Sequence, residues 1–149
     1  MPTSENTLAK SMADVTYELL DRCQVKRERI ASHLKLTVAE FKLILSFKDD
    51  TILSVHQLME RMALSSSRLT RIVDGLVEKK FVRRNIGEKD RRTIQILLTP
   101  EGKKIQEELN TAYIDTHEEI LELLPPEARE SVLLAMEKLR DAMKEWASD

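Results

Sequence analysis

Two short segments with helical periodicity, 55–62 and 66–80, follow each other closely along this 149-residue chain. The first begins with a capping box, because Ser54 can cap the helix while Gln57 reaches back from the third helical position. Ser65 can cap the second segment. Apolar residues recur in both at steps of three and four, which gives each helix one buried face: Val55, Leu58, Met59 and Met62, then Leu69, Ile72, Val73 and Leu76. Two short helices joined by a tight turn predict a helix-turn-helix.

The segment after these helices predicts a β-hairpin. Residues 81–84 read as a short strand, and the polar stretch 85–90 contains a glycine, as a hairpin tip should. Residues 92–98 return as a strand whose alternate apolar side chains share one face, namely Ile94, Ile96 and Leu98. A hairpin after a helix-turn-helix is a wing. We therefore expect a mainly α fold with a small β-hairpin wing, in which 37–98 form a winged helix-turn-helix.

Further helices are predicted on both sides of the winged unit. Residues 7–32 have apolar positions at helical spacing. Thr37 can cap the next helix through a Thr-x-x-Glu box with Glu40. After the hairpin, Thr99 precedes Pro100 in the first position of a long helix that is predicted to run to about residue 124.

The two chain ends are expected to form a dimer interface. Pro125 and Pro126 separate the long helix from a last one over 127–147, whose apolar seam repeats like a heptad: Val132, Met136, Leu139, Met143 and Trp146. The first helix carries a similar stripe, and burying such side chains stabilises by about 1.5–3 kcal/mol each. We expect dimerisation helices in 1–36 and 99–149. The alternative is that these helices pack on each other within one chain.

Charge is distributed unevenly along the chain. The net charge is −2, yet residues 65–93 carry nine basic and four acidic side chains, whereas 94–149 carry six basic and thirteen acidic ones. A basic segment inside an acidic chain is typical of a local polyanion contact. Double-stranded DNA is the polyanion that fits a helix-turn-helix, and an ordinary solvated surface is the alternative.

Candidate DNA contacts lie on the second helix and on the hairpin. The start of that helix is where side chains reach base edges in a major groove; the residues there are Ser65, Ser66, Ser67 and Arg68. Arg71 lies on the same exposed face as Arg68. The alternative for Arg71 is a surface ion pair with Asp74. Hairpin cations can contact phosphates or enter a narrow minor groove; these are Arg83, Arg84, Lys89, Arg91 and Arg92. Asp90 is predicted to pair with Arg92 and hold the shape of the wing.

The wing sequence resembles that of MarR-type regulators. Gly87-Glu88-Lys89-Asp90-Arg91-Arg92 followed by Leu98-Thr99-Pro100-Glu101-Gly102 is similar to the family's Asp-x-Arg, strand and Leu-Thr-x-x-Gly signature, and 70–76 is similar to its recognition helix. The resemblance implies a homodimer that binds a palindromic operator, usually as a repressor, with Arg92 as the minor-groove arginine. Gly75 departs from the family pattern, and so does Lys80, which stands where a helix-ending glycine is usual. Lys80 is therefore predicted to adopt a positive φ.

The same resemblance implies a small aromatic or phenolic effector. Members of the family commonly bind such anions in a cleft between the dimer helices and the winged domain. In this chain, the candidate residues for such a cleft are Tyr17, His33, Lys35 and Phe41.

Other classes of function lack their sequence signatures. The chain has no Gly-rich phosphate loop, Gly-x-Ser-x-Gly or His-Glu-x-x-His motif, so we expect neither an enzyme nor a cofactor. Its three histidines lack metal-ligand spacing, so no metal is expected. Cys23 lies on an apolar stripe, which favours an inert thiol over a redox-sensing regulator. A helical adaptor is a further alternative, although the basic segment argues against it. With no signal peptide or membrane segment evident, we expect a cytoplasmic protein.

Overall fold

The computed structural model describes residues 4–86 and 93–148 of the chain. It contains, in chain order, α1 Glu5–His33, α2 Val38–Ser46, β1 Ile52–Ser54, α3 Val55–Met62, α4 Ser66–Glu78, β2 Val82–Ile86, β3 Ile94–Leu98, α5 Pro100–Glu122, a 3-10 turn Pro126–Ala128 and α6 Arg129–Ala147. This order confirms the predicted mainly α fold with a β-hairpin wing. No helix among the described residues is long and apolar enough to cross a membrane.

The helix starts follow the predicted capping residues. The Thr37 hydroxyl accepts a hydrogen bond from the Glu40 amide at the start of α2. Ser54 and Gln57 form a complete capping box on α3. The Ser65 hydroxyl accepts from the Arg68 amide at the start of α4. Because each cap satisfies an amide that the first helical turn leaves without a partner, these residues fix where the helices begin.

The wing is part of a three-stranded antiparallel sheet in the order β1-β3-β2. The predicted hairpin is present, with Val82 opposite Leu98 and Ile86 opposite Ile94. The third strand, β1, was not expected, and it pairs Leu53 with Ile96 on the other side of β3. This pairing connects the start of α3 to the base of the wing.

Two residues with backbone φ above zero end the helices of the helix-turn-helix. Ala63 at φ 51° closes α3 in the turn that contains no glycine. Lys80 at φ 65° follows α4, which confirms the prediction for that position. The carbonyl of Lys80 then accepts a hydrogen bond from the Thr99 hydroxyl at 2.7 Å. The chain therefore turns directly from the end of α4 into β2, next to the start of α5.

Contacts divide the chain into two compact units, Met1–Asn110 and Thr111–Asp149. The core of the first unit is mainly aliphatic but includes Phe47, with further fully buried side chains from the helix-turn-helix, the sheet and α5, such as Leu58, Leu76, Ile96 and Leu109. Gly102 permits the approach of α5, because a Cβ at this position would lie 1.9 Å from the Phe81 carbonyl oxygen. The buried Gln106 donates hydrogen bonds to the carbonyls of Ile44 and Lys48 at 3.2 and 3.1 Å. The second unit consists of the end of α5, the 3-10 turn and α6.

Candidate nucleic-acid interface

The α4 helix has one buried face and an exposed side that carries Arg68 and Arg71 together with the acidic Asp74 and Glu78. Leu69, Val73 and Leu76 are buried in the core. The exposed residues at the start of the helix and along its outer side include Ser65, Ser66, Ser67, Arg68 and Arg71. The predicted contact residues of this helix are therefore brought together on one accessible surface. Its small side chains would allow close approach of a nucleic-acid groove.

The serines at the start of α4 have different local roles. The Ser65 hydroxyl caps the helix and lies 3.3 Å from the Ser67 hydroxyl. The Ser66 carbonyl accepts a hydrogen bond from the Thr70 hydroxyl at 2.8 Å. Because hydrogen bonds engage the hydroxyls of Ser65 and Ser67, the exposed hydroxyl of Ser66 is better placed to meet an external ligand.

Arg84 connects the wing to α4. Its guanidinium donates hydrogen bonds to the carboxylate of Asp74 and to the carbonyl of Thr70. Asp74 therefore pairs with Arg84, and the alternative pairing with Arg71 is not observed. Since a planar guanidinium can hold two acceptors at a fixed angle, this contact sets the position of β2 against the helix.

Three other predicted cations have no such internal partner. Among the residues that the structure describes, the side chains of Arg68, Arg71 and Arg83 form no ion pair. All three are exposed. Arg68 and Arg71 therefore add positive charge to the exposed side of α4, where a polyanion could approach, whereas Arg83 alternates with Arg84 along β2 and lies on the other face of the sheet.

The tip of the wing falls outside the described residues. Lys89, Asp90, Arg91 and Arg92 belong to that segment. Their predicted contacts with phosphates and the minor groove, and the pairing of Asp90 with Arg92, stay predictions.

The four candidate effector residues do not form one pocket within a single chain. Tyr17 and His33 are sixteen positions apart on the continuous helix α1, which corresponds to about 24 Å along its axis. The Tyr17 side chain is 71% exposed, whereas Phe41 is buried in the core. A shallow groove on α1 includes His33 together with Val25, Glu28, Arg29 and Ser32. A cleft that also contains Tyr17 would have to be completed by another chain.

The sequence reasoning missed a partly buried charge pair behind the recognition helix. The Lys79 ammonium, at the end of α4, lies 2.7 and 3.1 Å from the two carboxylate oxygens of Glu40 on α2. It also donates to the Lys35 carbonyl at 3.0 Å. Gly75 lies one helical turn before Lys79, and a Cβ there would be 3.6 Å from a Glu40 oxygen. In the sequence, the glycine at position 75 was the only local indication that another side chain lies close to this part of α4.

The remaining candidate chemistry is sparse. Cys23 is half-buried on α1, so the redox alternative stays a prediction. No group of three or more potential metal ligands occurs within the part of the chain that the structure describes.

A helix-turn-helix with an attached antiparallel wing defines a winged helix-turn-helix protein. Comparison with known proteins agrees with this class. Residues 36–94 match the family model described as the MarR family. The chain is 31% identical over 114 residues to the HTH-type transcriptional regulator YfiV of Bacillus subtilis, an alignment that covers 74% of this chain and 69% of that protein. It is 29% identical over 109 residues to the regulator SarZ of Staphylococcus aureus, covering 73% and 74%.

Solved structures show the same fold. The YusO protein of Bacillus subtilis is 26% identical, with a TM-score of 0.75 over 93% of this chain and 99% of that chain. A MarR mutant from E. coli, solved with operator DNA, is 22% identical, with a TM-score of 0.69 over 87% and 93%. The protein belongs to the MarR family of DNA-binding transcriptional regulators.

Proposed function

We propose that the protein is a homodimer that binds a palindromic DNA operator and acts as a repressor, without catalysis. The observation that carries the proposal is the exposed side of α4, where Arg68 and Arg71 have no ion-pair partner among the described residues. The Arg84 contact with Asp74 holds the wing beside this helix. Arginine can bind guanine through two hydrogen bonds in the major groove, which discriminates between bases by about 1–3 kcal/mol.

Exposed apolar faces support the homodimer. On α1, the predicted stripe of Leu8, Met12, Val15 and Leu19 is exposed. On α6, Val132, Met136, Met143 and Trp146 are also exposed, Trp146 by 79%. Each of these two helices presents an apolar stripe, and exposed apolar surface of this kind marks an interaction site. A second copy of the chain would cover it and would supply two recognition helices for a two-fold operator, with half-site centres about 34–36 Å apart or a multiple of that distance.

Release from DNA would follow the binding of a small aromatic or phenolic anion. This effector class rests on the family resemblance, and the wide separation of Tyr17 and His33 requires both chains of the dimer to form the cleft. An effector that prefers the non-binding form tenfold would shift the balance by about 1.4 kcal/mol.

The DNA-binding part is tested by measuring the affinity for a labelled random-sequence 30-base-pair duplex pool at increasing salt by fluorescence anisotropy. The logarithm of the association constant should fall linearly with the logarithm of salt concentration, by about 0.9 per phosphate contact. Arg71→Ala should weaken binding. The control Lys104→Ala, an exposed lysine of α5, should bind like the wild type. Affinity that is independent of salt would instead favour the adaptor alternative.

The dimer is tested by sedimentation velocity. The wild type should sediment at twice the chain mass of 17.2 kDa. Met136→Glu should shift the population towards monomer, because the charge would be buried in the proposed interface. Lys138→Glu, on the same helix but outside the seam, is the matched control. A wild-type monomer, or equal behaviour of the two variants, would contradict the proposed interface.

A further inference from the structure

Ile86 is an unexpected apolar residue in the basic wing. Its side chain is 60% exposed, more than that of any other large apolar residue in the three described strands. It closes β2, directly after Arg83, Arg84 and Asn85. Contact between an exposed isoleucine and water is unfavourable. Another apolar protein surface would be a poor partner for Ile86, because the residues around it are basic.

The orientation of Ile86 follows from the register of the sheet. Side chains alternate along a strand, so Val82, Arg84 and Ile86 share one face of β2. Val82 is buried, and Arg84 on that face reaches Asp74 and Thr70 of α4. Ile86 therefore lies on the side of the sheet that faces α4, about 6.6 Å further along the strand than Arg84.

A second isoleucine extends this apolar spot. Ile94 lies directly opposite Ile86 in the β2–β3 pair and is half-buried. Residues opposite each other in an antiparallel pair have side chains on the same face. The two isoleucines thus form a small apolar ledge, next to Arg84 on the same face of β2.

A nucleic-acid strand has the chemistry that complements this ledge. Its phosphates suit the arginines of α4 and the wing. The deoxyribose groups between the phosphates present carbon-bound hydrogens to an apolar side chain. The ledge is also continuous with the proposed interface, since it lies on the wing face that turns towards α4.

We infer that the Ile86–Ile94 ledge packs against the deoxyribose edge of the DNA strand that runs between α4 and the wing. The inference rests on the proposed function. The contact would be independent of sequence, because every nucleotide carries the same sugar. It would also be independent of salt, because it releases no counterion.

The test uses Ile86→Thr, which keeps the β-branched shape of the side chain, in the salt titration with the random-sequence duplex pool. We expect a loss of affinity of about threefold to tenfold, since part of an apolar side chain no longer leaves water on binding. The slope against salt should be unchanged. Ile86→Lys should bind more tightly than Ile86→Thr at low salt, because the lysine would meet a phosphate instead. The slope of the logarithm of the association constant against the logarithm of salt concentration should become steeper by about 0.9.

The control is Ile52→Thr in β1. Ile52 is 49% exposed, and because its neighbour Leu53 is buried, Ile52 lies on the opposite face of the sheet from Ile86. The variant should bind DNA like the wild type. If the wild type binds DNA with a steep salt dependence and Ile86→Thr binds equally well, the ledge has no role while the proposed function stands. If the wild type does not bind the duplex at low salt, the proposed function itself fails. Each variant should sediment like the wild type, which shows that a change in affinity comes from the DNA contact and not from a change in oligomeric state.

Discussion

Replacing Lys79 with methionine would break the partly buried ion pair behind the recognition helix. Methionine keeps an unbranched apolar stem, so the substitution removes chiefly the ammonium group. The Glu40 carboxylate would lose its 2.7 Å contact, and the Lys35 carbonyl would lose a donor at 3.0 Å. The Glu40 side chain is only 7% exposed, so water cannot fully replace the missing partner.

The expected loss follows from this burial. Removing one partner of a buried ion pair costs about 3–5 kcal/mol. The Lys79 side chain is 35% exposed, which lets solvent screen the pair, and we therefore expect the free energy of unfolding to fall by about 2–3 kcal/mol. Urea denaturation followed by far-UV circular dichroism measures it, with all variants at one protein concentration because dimer formation contributes to apparent stability.

Two further variants make this test specific. Lys104→Met removes an exposed lysine in the same unit and should change the stability by less than about 0.5 kcal/mol. Glu40→Gln combined with Lys79→Met removes both charges and should be more stable than Lys79→Met alone, because no unpaired carboxylate remains buried. If Lys79→Met is as stable as Lys104→Met, the pair does not hold α2 against α4.

Three backbone predictions can be checked by the same urea measurement. Gly75→Ala should stabilise by about 0.5–1 kcal/mol, because alanine favours the helix and its Cβ would meet Glu40 at an ordinary 3.6 Å; a loss of stability would mean that this space is already filled. Gly102→Ala should destabilise by at least about 2 kcal/mol, because its Cβ would lie 1.9 Å from the Phe81 carbonyl oxygen, and wild-type stability would refute that close approach. Lys80→Gly should stabilise by about 0.5–1 kcal/mol by relieving a φ of 65°, a gain that would be absent if the backbone there were not left-handed.

The features that the sequence predicted well are local ones. Capping depends on residues three positions apart, so Thr37 and Ser54 mark the starts of α2 and α3 without any knowledge of the fold. The positive φ of Lys80 was predicted from the family resemblance, because a glycine usually ends the helix at that position. Local rules therefore predicted most helices and the hairpin.

The features that were missed depend on distant parts of the chain. The strand β1 has only three residues, too few to show a period, and it is defined by its pairing with β3. Asp74 and Arg84 are ten positions apart on different elements, and Glu40 and Lys79 are thirty-nine apart. No spacing rule connects such pairs, so their contacts become visible only when the elements pack together.

The central claim is that two copies of this chain read duplex DNA across a two-fold axis. Its most direct test is selection of bound fragments from a random duplex pool, followed by sequencing. The account predicts an enriched inverted repeat whose half-site centres are one helical turn, about 34–36 Å, or a multiple of it apart. Failure to enrich any sequence, or enrichment of a single unsymmetrical site, would contradict it.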